Sequence, residues 1–160
     1  MTRRWWKWLL VVGILVPLLV WGYDRLQMID WVGRTDLDVE FVVTEAGSSA
    51  PVPGARVEVH SDGGFYEEKD PQEFVLITDA DGVARKECRG NMCGGRSSGL
   101  GFTDTYAVSR PSWRFRVTAP GYEPCEWAAL GEGPYRQQAK ETGPGHARLE
   151  VAVSLQRNRS

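Results

Sequence analysis

From Trp8 to Tyr23 no side chain carries a charge, and Arg3, Arg4 and Lys7 stand directly before that run. Such a segment is served best by a helix, which satisfies its own backbone N–H and C=O groups where water is absent. At about 1.5 Å per residue, the stretch from Trp5 to Tyr23 approaches the roughly 30 Å hydrocarbon thickness of a bilayer once Lys7 snorkels to the interface. Trp5, Trp6 and Trp8 at one end and Trp21 and Tyr23 at the other match the aromatic belts of membrane surfaces. Pro17 is compatible with a helix in this setting. The run is apolar on every face, without the polar stripe of a helix packed on a soluble core. The segment WGYDRLQMID that follows has no small-x-small cleavage pattern, which predicts an uncleaved anchor over a removed secretory signal. The cationic flank lies on the N-terminal side, so the N-terminus is expected in the cytoplasm and the rest of the chain outside, most simply in the periplasm at a bacterial inner membrane.

The remainder of the 160 residues is enough for one domain. The charged fraction of 25% and the hydrophobic fraction of 42% are those of a globular chain, while 18 Gly and 9 Pro announce many turns. A net charge of -2 gives no stripe with which to neutralise phosphates, so no nucleic-acid partner is expected. From Asp36 onward, Leu37, Val39, Phe41 and Val43 alternate with Asp38, Glu40 and Thr44, the two-residue period of a strand with one face on a core. Turn chemistry in SSAPVPG leads to a second strand, with Val57 and Val59 facing one way and Arg56, Glu58 and His60 the other. Phe74 to Ile77 is a short apolar run, and TDADG at 78–82 reads as the tight turn of a hairpin into a strand starting at Val83. Trp113, Phe115 and Val117 alternate with Arg114 and Arg116, and a further strand resumes at Tyr122. Leu149, Val151, Val153 and Leu155 close the domain on one face of a last strand. About seven short strands, with no amphipathic helix among them, predict an all-β antiparallel two-sheet sandwich. The expected layout is a cytoplasmic N-terminus at 1–7, a transmembrane anchor at 8–23, a juxtamembrane linker at 24–35, the sandwich at 36–156 and a tail at 157–160.

Four segments occur in an order that resembles the carboxypeptidase regulatory-like domain, a transthyretin-like sandwich related in shape to immunoglobulin-type modules. They are PVPGARVEV at 51–59, TDADGVA at 78–84, FRVTAPGYEP at 115–124 and LEVAVSL at 149–155. The sequence departs from that pattern at 89–111 and at 131–145, where long insertions replace brief connections. The resemblance implies a non-catalytic structural or interaction role, here in a cell envelope, with a protein or glycan partner in addition to the membrane. A related hydrolase of the urate pathway shares the shape, but its Tyr-Arg-Gly-Ser end is absent, since this chain closes RNRS.

The residues themselves assemble no catalytic constellation, and none is expected to hold a metal or cofactor. His60 and His146 are the only imidazoles, and neither lies in an HExxH run, a nucleophile elbow or a cysteine–histidine metal spacing. Asp79 and Asp81 before Gly82 have the alternate carboxylates of part of a calcium loop, but Asp and Gly equally make a turn between strands, which is the reading preferred. Cys88, Cys93 and Cys125 fall in the part expected to be exported, where a disulfide persists. Cys88 with Cys93 is the favoured pair, and Cys125 is the alternative partner. Phe65, Tyr66, Phe102, Tyr106, Trp127 and Tyr135 lie in or near loops and are expected to pack, with a sugar or peptide surface as the alternative. A second reading is an envelope enzyme, or a carbohydrate- or solute-binding module, using the 88–111 loop. As an enzyme it would need a base and an oxyanion donor near a thiolate such as Cys93.

Overall fold

The computed structural model describes residues 5–61, 72–100 and 104–158. The chain is mostly β, in two sheets, with one N-terminal apolar helix. Helix α1 (Trp5–Leu26) runs unbroken through Pro17. Its stretch Trp8–Leu26 is long and apolar enough to cross a membrane by length and composition. Nine strands follow among the described residues: β1 (Met28–Glu45), β2 (Arg56–Ser61), β3 (Gln72–Ile77), β4 (Val83–Ser98), β5 (Asp104–Val108), β6 (Trp113–Thr118), β7 (Cys125–Ala129), β8 (Lys140–Gly143) and β9 (His146–Leu155). The count exceeds the seven expected because both insertions become strands: the first lengthens β4 and supplies β5, and the second supplies β8. Residues 28–35, expected as linker, are the first part of β1.

The chain divides into two compact units. One holds Met1–Val32 with Gly94–Tyr106, and the other holds Gly33–Cys93 with Ala107–Ser160. One sheet has the order β5-β4-β1-β9-β8 and the other β3-β2-β6-β7. The sheets are not wholly antiparallel. β1 and β9 run parallel in unbroken register from Asp36↔His146 to Glu45↔Leu155, which puts the apolar sets of both strands on the same face.

In the larger unit the two sheets face a single core. Leu37, Phe41, Val57, Phe115, Leu149 and Val151 are fully buried there. The Phe41 ring meets Phe115 edge to face across the sheets, with centroids 5.1 Å apart. The opposite face of the five-stranded sheet carries Glu40, which accepts from Arg85 Nε at 2.9 Å and lies 3.5 Å from Arg148 Nε. A carboxylate set between flanking cations on both neighbouring strands keeps its charge satisfied although its side chain is only 10% exposed.

The TDADG segment turns, but it is not the tip of a hairpin, because β3 and β4 belong to different sheets. Asp79 Oδ1 accepts the N–H groups of Asp81 and Val83, each at 3.0 Å, and this local capping reverses the chain. The bonds redirect the chain from one sheet to the other. Asp79 is thereby engaged as a turn residue. Thr78, just before the turn, is buried. Its Oγ1 accepts the Ala55 N–H at 2.8 Å and donates to the Val52 carbonyl at 2.7 Å, tying PVPGA to the turn. Thr78→Val keeps the shape and leaves both backbone groups unpaired, so an unfolding free energy lowered by about 2 kcal/mol is expected in urea denaturation.

Candidate functional site

The chemistry-bearing side chains do not converge on one centre. His60 stands on β2 and pairs through Nδ1 with Glu73 Oε1 at 3.1 Å, while His146 opens β9 in the other sheet. Among the described residues no group of three or more His, Cys, Asp or Glu could hold a metal ion. Of the three cysteines, Cys93 is buried, and Cys88 and Cys125 are half-buried. Cys88 and Cys93 lie on one continuous strand, β4. Five residues at about 3.3 Å each separate them by roughly 16 Å, beyond the Cα separation a disulfide bridges, so a bond between them would require β4 to fold back.

The closest approach to a polar site is a corner of the larger unit around the 131–135 turn. The Gly131 N–H donates to the Tyr135 carbonyl at 2.9 Å, and Gly133–Tyr135 forms one 3-10 turn. Tyr135 lays its ring against Phe115 at 5.0 Å and sets its hydroxyl 3.6 Å from Cys125 Sγ. Burial pushes the Tyr135 phenol up to about 12, with the hydrogen bond to Cys125 and the charge of its thiolate adding to the rise. The phenol therefore stays protonated at neutral pH. Arg110 tucks under the same turn. A Cβ on Gly131 would stand 3.0 Å from Arg110 Nη1, and that nitrogen is buried without a hydrogen-bond partner among the described residues. Arg110 and the Tyr135 backbone meet at Gly131, while the Tyr135 hydroxyl is turned to Cys125.

A raised phenol pKa favours the folded state below about pH 10, where Tyr is protonated in both states. That stability is lost as pH rises from about 10 to about 12, because the unfolded chain gives up its proton first. Tyr135→Phe is expected to remove one late phenolate step from the absorbance titration and to flatten the alkaline fall in stability over that window.

Sequence reasoning missed Arg110 and singled out Tyr135 only as a loop aromatic. The glycine that admits Arg110 is ordinary in sequence. Of the other loop aromatics, Tyr106 stacks near Trp31 with centroids 5.9 Å apart, and Trp127 is 49% exposed. Phe65, Tyr66 and Phe102 lie outside the described residues. Within the 88–111 stretch Cys93 lies on β4 and not in a loop, and Asp104–Val108 forms β5. In the smaller unit, Arg96 holds Asp30 through Nε at 2.6 Å and Trp31 Nε1 donates to Ser97 Oγ at 3.1 Å. The Arg96 guanidinium keeps the Asp30 carboxyl below its usual range.

No protein-family model matches the chain, and no curated protein matches it. Solved structures are similar to it. Hydroxyquinol 1,2-dioxygenase from Pseudomonas putida DLL-E4 is 13% identical with a TM-score of 0.51, over 78% of this chain and 57% of that one. Catechol 1,2-dioxygenase from Acinetobacter sp. ADP1 is 18% identical with a TM-score of 0.48, over 79% and 54%. An intradiol ring-cleavage dioxygenase from Tetranychus urticae is 13% identical with a TM-score of 0.46, over 79% and 84%. The chain thus spans little more than half the length of the first two enzymes. At such identities the likeness concerns the fold alone.

These findings correct the resemblance drawn from the sequence. The fold neighbours are intradiol ring-cleavage dioxygenases and not carboxypeptidase regulatory-like domains, and the transthyretin-like assignment falls with it. The four segments behind that resemblance are turns flanked by alternating residues, a pattern any two-sheet fold requires. The non-catalytic role that this resemblance implied loses its support with it.

Proposed function

We propose that this chain is a membrane-anchored envelope enzyme whose sandwich acts on a small ring compound with neighbouring hydroxyl groups. The observation that carries the reading is the fold likeness to the hydroxyquinol dioxygenase, at a TM-score of 0.51 over 78% of this chain. Arg110 supports the ligand class, because a buried guanidinium nitrogen without a hydrogen-bond partner among the described residues suits a phenolic oxygen. The composition and exposure of α1 support its role as the anchor, with the domain on the outer side of the membrane.

Insertion of dioxygen into a ring is carried by a metal, a haem or a flavin. The described residues do not fit a metal centre, since His60 and His146 stand in different sheets and no third ligand joins either.

The test is the full chain in detergent or vesicles, given catechol or hydroxyquinol, with oxygen uptake and bound metal measured in parallel. Oxygen uptake with loss of the ring's ultraviolet band supports the proposal. Binding that Arg110→Ala weakens, without uptake, would keep the ligand class and remove the reaction. Absence of both would overturn the reading. Placement is tested apart: an impermeant thiol reagent should reach Cys88 or Cys125 from outside intact cells, in unfolded-and-quenched samples if not in native ones.

A further inference from the structure

We propose that Gly99 and Leu100, at the end of β4, form a second point of membrane contact, seated at the boundary of headgroups and acyl chains beside the exit of α1. The inference rests on the membrane placement of α1 proposed above and adds to it a lipid-contacting site carried by a different part of the chain. It lies wholly within the smaller unit, which joins α1 to Gly94–Tyr106.

Asp24 is the key residue. It sits near the end of the apolar stretch Trp8–Leu26, is only 1% exposed, and its Oδ1 accepts the Leu100 N–H at 2.8 Å. Withdrawing a carboxylate from water to hold one backbone amide is costly unless the bond fixes something. What it fixes is Leu100, held beside the end of the helix. Gly99 follows from the same packing: a Cβ there would meet the Gln27 side chain, which donates to Tyr23 Oη at 2.8 Å.

Leu18, Leu19, Tyr23 and Leu26 of α1 form, with Leu100, an apolar cleft of about 510 Å³. Its helical wall is the surface that faces acyl chains in a spanning helix, so the cleft is continuous with the lipid-facing side and its occupant is lipid. The surroundings have the chemistry of an interface. Leu26 is 87% exposed, Ile29 61% and Leu100 49%, surfaces that a wet setting would penalise. Arg25 lays its guanidinium over Trp21 at 5.1 Å, a cation and an indole at the level where headgroups lie.

A diazirine-bearing leucine analogue placed at position 100, 19 or 136 of the full chain, in phosphatidylethanolamine–phosphatidylglycerol vesicles, reads the occupant directly as the mass of its photo-adduct. Leu19 reports the anchor, and Arg136, exposed in the larger unit, reports water. Lipid adducts at 100 and 19, and none at 136, are the expected result. Lipid at 19 with only water or a second copy of the chain at 100 overturns the second contact while leaving the anchor intact. No lipid at 19 removes the membrane placement itself, and the second contact with it. Asp24→Ala should abolish the lipid adduct at 100 and spare that at 19; an unchanged adduct at 100 would overturn the role given to Asp24.

Discussion

Phe115→Ala is expected to lower the stability of the β domain by about 3–5 kcal/mol, the cost of emptying a large aromatic site that its surroundings cannot refill. Phe115 is fully buried and is the ring on which two others close: Phe41 from the opposite sheet at 5.1 Å and Tyr135 from the 131–135 turn at 5.0 Å. Both contacts are edge-to-face, a geometry worth about 0.5–1.5 kcal/mol per pair beyond the area buried. Urea unfolding of the full chain in detergent should show a lowered midpoint with little change in slope. A second readout separates this from general loosening. With Phe115 gone, Tyr135 loses the burial that raises its phenol, and its titration should fall back from about 12 toward the ordinary 10.0. A stability within about 1 kcal/mol of the parent would mean that the two sheets are not clamped through this ring.

Gly82→Ala is expected to cost about 3 kcal/mol, although it adds a single carbon at a turn. Gly82 has φ +72, a conformation that costs a residue with a Cβ about 1–2 kcal/mol. The added Cβ would stand 2.6 Å from the Val43 carbonyl oxygen and 3.0 Å from the Val52 nitrogen, both backbone atoms that cannot swing aside. Relief would have to come from moving the turn off β1, which breaks the Val43 N–H to Gly82 carbonyl bond of 2.8 Å. A thermal midpoint lowered by on the order of 10 °C is expected for a domain of this size. Gly47→Ala serves as the control, because Gly47 also has positive φ, at +91, but nothing lies within 4 Å of its Cβ position. A difference between the two variants measures the close approach to β1, and equal losses would sink it.

The alternating residues were legible because a strand's period of two depends on nothing beyond the next residue. Leu37, Val39, Phe41 and Val43, and likewise Leu149 to Leu155, all face the core as their spacing requires. The TDADG turn was legible for the same reason, since its Asp79 bonds reach no farther than Val83. Its consequence was not. A hairpin and a crossing between sheets use the same turn residues, and which one forms depends on where Val43 lies to receive Gly82. Nor did the insertions announce strands. Strand β4 is stabilised by partners distant in sequence, such as Trp31 with Ser97 across 66 positions.

Sequence alone determined the uncharged, tryptophan-flanked helix, the two-sheet β class and the inward-facing residues, because each depends on interactions between near neighbours along the chain. Tertiary structure decided the parallel partnership of β1 with β9, the meeting of Arg110 and Tyr135 at Gly131, and the burial of Asp24 on the Leu100 amide. Each of these joins residues whose separation along the chain carries no local pattern. Their pairing is selected by packing and by the need to satisfy buried polar groups once the chain has closed on itself.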